Sequence, residues 1–130
     1  MAQNLIYLSH VFNNKEYYQK AVTMLDSLKT IIVKHPGSFG VWALTSINLA
    51  FGINEIAIVG KSMMRALKNV LNEYLPNKIL QSSFNKSDMF LLKDRPILKD
   101  LSIYLCRDFA CTAPLFDIKQ LMDEIQLQSF

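Results

Sequence analysis

A chain of 130 residues is long enough to bury a core without staples. Its net charge of +3 is spread from Lys15 to Lys119 with no basic run, which excludes the electrostatic footprint of a nucleic-acid binder. Apolar residues make up 51% and charged residues only 19%, with a mean hydropathy of +0.16, a surplus that points to a dense core or to a surface meant for a partner. No apolar run is long enough to span a bilayer, and the start, Met1-Ala2-Gln3-Asn4-Leu5-Ile6, lacks the basic and apolar regions of a secretion signal. Two cysteines are too few for the disulfide framework of a small secreted domain, so the expected location is the reducing cytoplasm.

The first half reads as helices. Leu5, Ile6, Leu8, Val11 and Phe12 predict a short helix that ends near Asn13-Asn14. Tyr18, Ala21, Val22, Leu25, Leu28 and Ile32 recur at intervals of three and four, the period of one buried helical face. That helix should run from about Glu16 to Lys34 and stop at His35-Pro36-Gly37, where proline breaks the ladder. Ser38 is the expected N-cap of a third helix carrying Val41, Trp42, Leu44, Thr45 and Leu49, closing near Gly52.

The second half changes period. Glu55–Val59 is a β-branched run bounded by Asn54 and Gly60, a strand signal. Ser62 should cap a helix with Met63, Met64, Leu67, Val70, Leu71, Tyr74 and Leu75 at helical spacing, and Met64 and Leu67 are expected in its buried face. Lys78–Ser82 is a second strand, which a right-handed crossover would place parallel to the first. Residues 84–100 are irregular, with Met89-Phe90-Leu91-Leu92 expected to tuck onto the core. Leu101–Cys106 alternates as a third strand, and Asp117 followed by Gln120 signals a capping box for a last helix to about Gln126. The expected fold is α/β (α+β): helical hairpins on a small three-stranded sheet with a parallel β-α-β unit and a C-terminal helix. It forms one domain over 1–130, with a helical part to residue 52 and an α/β layer from residue 53.

Glu55-Ile56-Ala57-Ile58-Val59-Gly60, Tyr74-Leu75-Pro76-Asn77-Lys78-Ile79-Leu80 and above all Tyr104-Leu105-Cys106-Arg107-Asp108-Phe109-Ala110-Cys111-Thr112-Ala113-Pro114 resemble the C-terminal end of the large thioredoxin-domain-containing proteins of the spermatogenesis-associated type. The resemblance spans about Leu5 to Ile125. It implies that residues 1–52 are the tail of an α/α-toroid region and that 53–130 close it, with the thioredoxin-like domain lying upstream. No catalytic residue of that domain maps onto this chain.

Three constellations carry candidate chemistry. Gly60-Lys61-Ser62 lies between strand and helix, but a phosphate-binding loop needs a glycine at the position of Glu55, so a tight turn is the simpler reading. Lys61, Arg65, Lys68 and Asn72 share one helical face, the pattern of solvated surface. Cys106 and Cys111 cannot complete a structural zinc site, since His10 and His35 lie far upstream and four ligands are needed. Arg107 follows Cys106 directly and should point to the opposite face of the strand. The pair is therefore expected as reduced, buried thiols, with a redox-active pair as the alternative. The acids Asp88, Asp94, Asp100, Asp108, Asp117, Asp123 and Glu124 show no catalytic spacing.

The functional expectation is a non-catalytic structural or docking module, without cofactor, metal or small-molecule ligand and without nucleic-acid or membrane partners. It would self-associate or pack against an upstream toroid or thioredoxin segment. Tyr7, Phe12, Tyr17, Val33, Phe39, Ile47 and Phe51 are the side chains that a three-helix layer cannot all bury. The alternatives are a thiol-disulfide component using Cys106 and Cys111, or a fragment of a carbohydrate-active toroid enzyme.

Overall fold

The structure is a computed structural model and describes residues 1–107 and 110–127. The chain forms two compact units that divide after Gly52, where the sequence changes period. No helix among the described residues is long and apolar enough to cross a membrane.

The first unit is three helices: α1 (Ala2–Phe12), α2 (Lys15–Lys34) and α3 (Gly40–Phe51). Asn13 ends α1 in the left-handed conformation (φ 51°), which asparagine tolerates better than most residues. Asn14 then caps α2, its Oδ1 accepting from the Glu16 and Tyr17 amides at 2.9 and 3.2 Å. Along α2, Ala21, Leu25 and Ile32 are buried and Leu28 is half-buried, the stripe set by spacings of four and seven. Ile6 and Ser9 on the adjoining α1 are buried too, and Ser9 satisfies its hydroxyl on the Ile6 carbonyl at 2.6 Å. The expected Ser38 cap is not made. Phe39 holds the N-cap position of α3 with no side-chain hydrogen bond, because the turn after Pro36 closes through backbone amides of Ser38 and Phe39 onto the His35 carbonyl.

The second unit contains β1 (Asn54–Val59), α4 (Met63–Asn72), β2 (Lys78–Ser83), β3 (Ser102–Arg107), β4 (Ala110–Cys111) and α5 (Ile118–Leu127). The sheet order is β2-β1-β3-β4, so it has four strands rather than three. β1 and β2 run parallel around the α4 crossover, with Ile56 opposite Leu80, and β3 pairs antiparallel to β1, with Ile56 opposite Leu105. Ile56, Ile58, Ile103 and Leu105 project to one face and pack against Met63, Ala66 and Val70 of α4 and Leu121 and Ile125 of α5. Both helices of this unit therefore cover the same face.

Two devices place the helices. The Gly60 backbone has φ +119°, and any Cβ there would collide with the Asp100 carbonyl oxygen. That carbonyl instead accepts the Ser62 amide at 3.0 Å, which ties the start of α4 to the chain entering β3. At α5, Asp117 Oδ1 accepts from the Gln120 amide at 2.8 Å, while Gln120 Oε1 accepts from the Phe116 amide at 2.9 Å. This is the expected capping box with the return bond displaced by one residue.

The buried face of α4 differs from the sequence expectation. Met64 is 57% exposed and Leu67 half-buried, whereas Ala66 and Val70 are nearly inaccessible. The apolar arc of α4 is wide, and the sheet contacts its centre, where small side chains let helix and sheet approach. Val70→Asp should lower the unfolding free energy by about 3 kcal/mol or more, since it buries a charge with no partner. Met64→Asp should shift it by about 0.5 kcal/mol or less. Urea unfolding of the two variants checks the assignment. In the same assay Gly60→Ala should cost about 2 kcal/mol through backbone strain.

Candidate functional sites: a cross-strand disulfide and an exposed helical stripe

The expectation of reduced thiols is overturned: Cys106 and Cys111 form a disulfide. The hairpin register is the reason. Arg107 lies opposite Ala110 and Cys106 opposite Cys111, and the Thr112 amide donates to the Leu105 carbonyl at 2.9 Å. Cys106 and Cys111 therefore occupy a non-hydrogen-bonded pair, the position in an antiparallel ladder where side chains come closest, and their Cα atoms are 3.9 Å apart. Asp108 and Phe109, between them in sequence, lie outside the described residues.

Pro114 limits the ladder. A regular register would pair Ile103 with residue 114, but proline has no amide to donate. The chain slips by one residue, and Leu115 exchanges both backbone bonds with Ile103 at 2.8 Å. β4 is thereby confined to a short edge strand stapled to β3.

The two sulfurs differ in access. Cys106 is 2% exposed, while Cys111 is on the surface. The cation beside them is Arg95, whose Nη2 lies 2.9 Å from Cys111 Sγ and 3.4 Å from Cys106 Sγ. Arg107 points to the other face, as alternation requires, and donates from Nη2 to Asn54 Oδ1 at 2.6 Å.

Arg95 is fixed from several sides. Its Nε donates to the Leu91 carbonyl at 3.3 Å, and its guanidinium stands 5.2 Å from the centroid of the Tyr104 ring. Tyr104 in turn donates its hydroxyl to the Pro96 carbonyl at 2.6 Å. The Leu91 amide donates to Gln81 Oε1 at 3.2 Å and the Leu98 amide to Ser102 Oγ at 3.1 Å. Gln81, Ser102, Tyr104 and Cys106 all lie on the sheet face turned away from α4 and α5. The segment after β2 thus runs over that face, burying Leu91 and Leu92 but leaving Met89 exposed. Glu55, 2% exposed, is directly opposite Cys106 in the β1–β3 register and shares this face. An open groove of about 670 Å³ lined by Lys86, Asp88, Lys93 and Asp94 reaches Arg95.

The other candidate residues separate. Lys61, Arg65, Lys68 and Asn72 are all exposed. Ser62 stands at the N-cap of α4 without a side-chain cap bond, and Glu55 sits inside β1, so Gly60-Lys61-Ser62 is a turn rather than an anion cradle.

In the helical unit, Tyr7, Phe12, Val33, Ile47 and Phe51 are exposed, and Tyr17 and Phe39 are half-buried. α3 is the extreme case. Only Thr45 is buried, its hydroxyl satisfied on the Val41 carbonyl at 2.6 Å, while Val41, Leu44, Ile47 and Phe51 form an exposed apolar stripe at spacings of three and four. Comparison with known proteins returns no matching family model, no matching curated protein and no matching solved structure.

Purified under air, the native chain should titrate no thiol until a reductant is added, and then two, by chromogenic thiol counting. Burial raises the Tyr104 phenol above its ordinary value, with Arg95 acting in the opposite direction. Its folded-state value therefore exceeds its unfolded one, so its contribution to stability is complete below about pH 10 and lost as pH climbs through the raised value. Tyr104→Phe should flatten that alkaline decline and cost about 1 kcal/mol at neutral pH from the missing hydroxyl bond, measured by denaturant midpoints against pH.

Proposed function

We propose that the chain is a non-catalytic packing module whose helical unit docks against a further apolar helical layer. The observation that carries this reading is α3: a predominantly apolar helix with one buried residue, Thr45, and an exposed stripe from Val41 to Phe51. A helix whose apolar side chains are left exposed in this way fits inside a larger helical array. Apolar area removed from water is worth about 25 cal/mol per Å², so a stripe of this kind offers a driving force to any layer of matching shape. The resemblance of Tyr104–Pro114 to the end of thioredoxin-toroid proteins supports the same reading, because the helical unit would there adjoin more helices.

In the isolated chain the available occupant is a second copy, and the simplest arrangement is a two-fold dimer. Sedimentation at micromolar concentration should show that dimer. Ile47→Asp with Phe51→Asp should return it to monomer without lowering the melting temperature of the monomeric fold by more than a few degrees. A wild-type monomer across the micromolar range would overturn the packing role.

A further inference from the structure

We propose that the Cys106–Cys111 disulfide is a thiol–disulfide exchange site for a dithiol, with Cys111 as the attacked sulfur, Cys106 as the leaving sulfur and Arg95 as the group that stabilises the thiolates. It is independent of the packing role, since every residue involved lies in the second unit.

Access selects the sulfur. An incoming thiolate must approach along the S–S axis, and only Cys111 is open to solvent. Attack forms a bond to Cys111 Sγ and breaks the protein S–S bond. The bonding pair leaves on Cys106 Sγ as a thiolate. The second thiol of the dithiol then attacks its own bound sulfur and releases Cys111 Sγ, also as a thiolate. The dithiol is oxidised to its disulfide and the protein disulfide is reduced by two electrons. The two protons given up by the dithiol end on the two protein sulfurs.

Each step places negative charge on a sulfur that Arg95 Nη2 already faces, at 3.4 Å for Cys106 and 2.9 Å for Cys111. A charge-assisted hydrogen bond gains strength as its acceptor becomes ionised, so the guanidinium favours the product of each cleavage over the neutral disulfide. A cation beside a cysteine lowers the thiol's pKa, and a leaving thiol of lower pKa departs faster. The positions of Leu91, Tyr104 and the sheet hold the guanidinium in place before reaction, so little reorganisation is needed.

A purely structural staple accounts less well for these facts. The ring closed by the disulfide spans a sequence separation of only 5. Closing so short a loop places the stabilisation near the bottom of the usual range for disulfides in the chain-entropy picture. Nor does a staple require a guanidinium on both sulfurs.

The test uses the whole folded chain with dithiothreitol as the dithiol, following thiol release in the absence of denaturant. The wild type should be reduced completely without unfolding. Arg95→Gln should slow reduction about ten-fold, and Arg95→Lys, which keeps the charge but not the planar head, should give a rate between the two. Reduction that requires denaturant, or an Arg95→Gln rate equal to wild type, would overturn the proposal. A second measurement does not depend on the folding of the Arg95 variants. Cys106→Ser should form a mixed disulfide at Cys111 with glutathione disulfide, with a reactivity midpoint below the ordinary thiol value of about 8.5. Native Cys111→Ser should leave Cys106 unmodified. Equal reactivity of the two single-cysteine chains, or an ordinary midpoint at Cys111, would sink the assignment of roles.

Discussion

Both helices of the second unit pack on one face of its sheet, and most of what is distinctive about that unit follows. The parallel β1–β2 pair demands a crossover, and that connection carries α4 to the side where Ile56 and Ile58 project. α5 returns to the same side, held by Leu121 and Ile125. β1 nevertheless has every residue buried on both faces. The remaining face, with Ala57, Val59, Ile79 and Tyr104, needs cover that no helix of this unit supplies. The irregular chain after β2 supplies part of that cover, and its polar backbone groups are satisfied by side chains of the strands beneath it, Gln81 and Ser102 among them. Arg95 reaches the sulfurs as part of that cover.

The disulfide depends on a second local constraint, the proline after it. Because Pro114 cannot donate, β4 ends early and the ladder resumes only at Leu115. A longer edge strand would hold Cys111 through backbone bonds on both sides. Here the sulfur bridge supplements a ladder that is short at that end. Breaking it should therefore loosen β4 while leaving β1, β2 and the helix-covered core paired, which suits a bond that opens and closes in the folded state.

Much of the fold was legible because the signals were local. The period of Ala21, Leu25, Leu28 and Ile32, the stop at Pro36-Gly37, the β-branched run of β1 and the Asp117–Gln120 cap all sit within a few residues of what they specify. The parallel pairing followed from chirality once β1 and β2 were recognised. The rotation of α4 was less legible. The apolar residues of α4 occupy a broad arc, and burial went to Met63, Ala66 and Val70 while Met64 and Leu71 stayed exposed.

The candidate site was half legible, and the missing half is instructive. The cysteine pair stood out, and alternation correctly sent Arg107 to the opposite face. Composition argued for free thiols, but composition says nothing of register, and register set Cys106 against Cys111 in a position that favours bonding. Arg95 was out of reach of sequence reasoning for a different reason. It lies eleven residues before Cys106, in a stretch with no period, and its placement is dictated by Leu91, Pro96 and Tyr104 rather than by its neighbours. The same stretch holds Lys93, whose side chain is exposed two residues away. A cation count along the sequence cannot tell these two apart. Only the sheet face that needed covering does, because Arg95 has a stem and a planar head that can lie between a tyrosine ring and two sulfurs, where a lysine's point charge would lose the ring contact and the second donor.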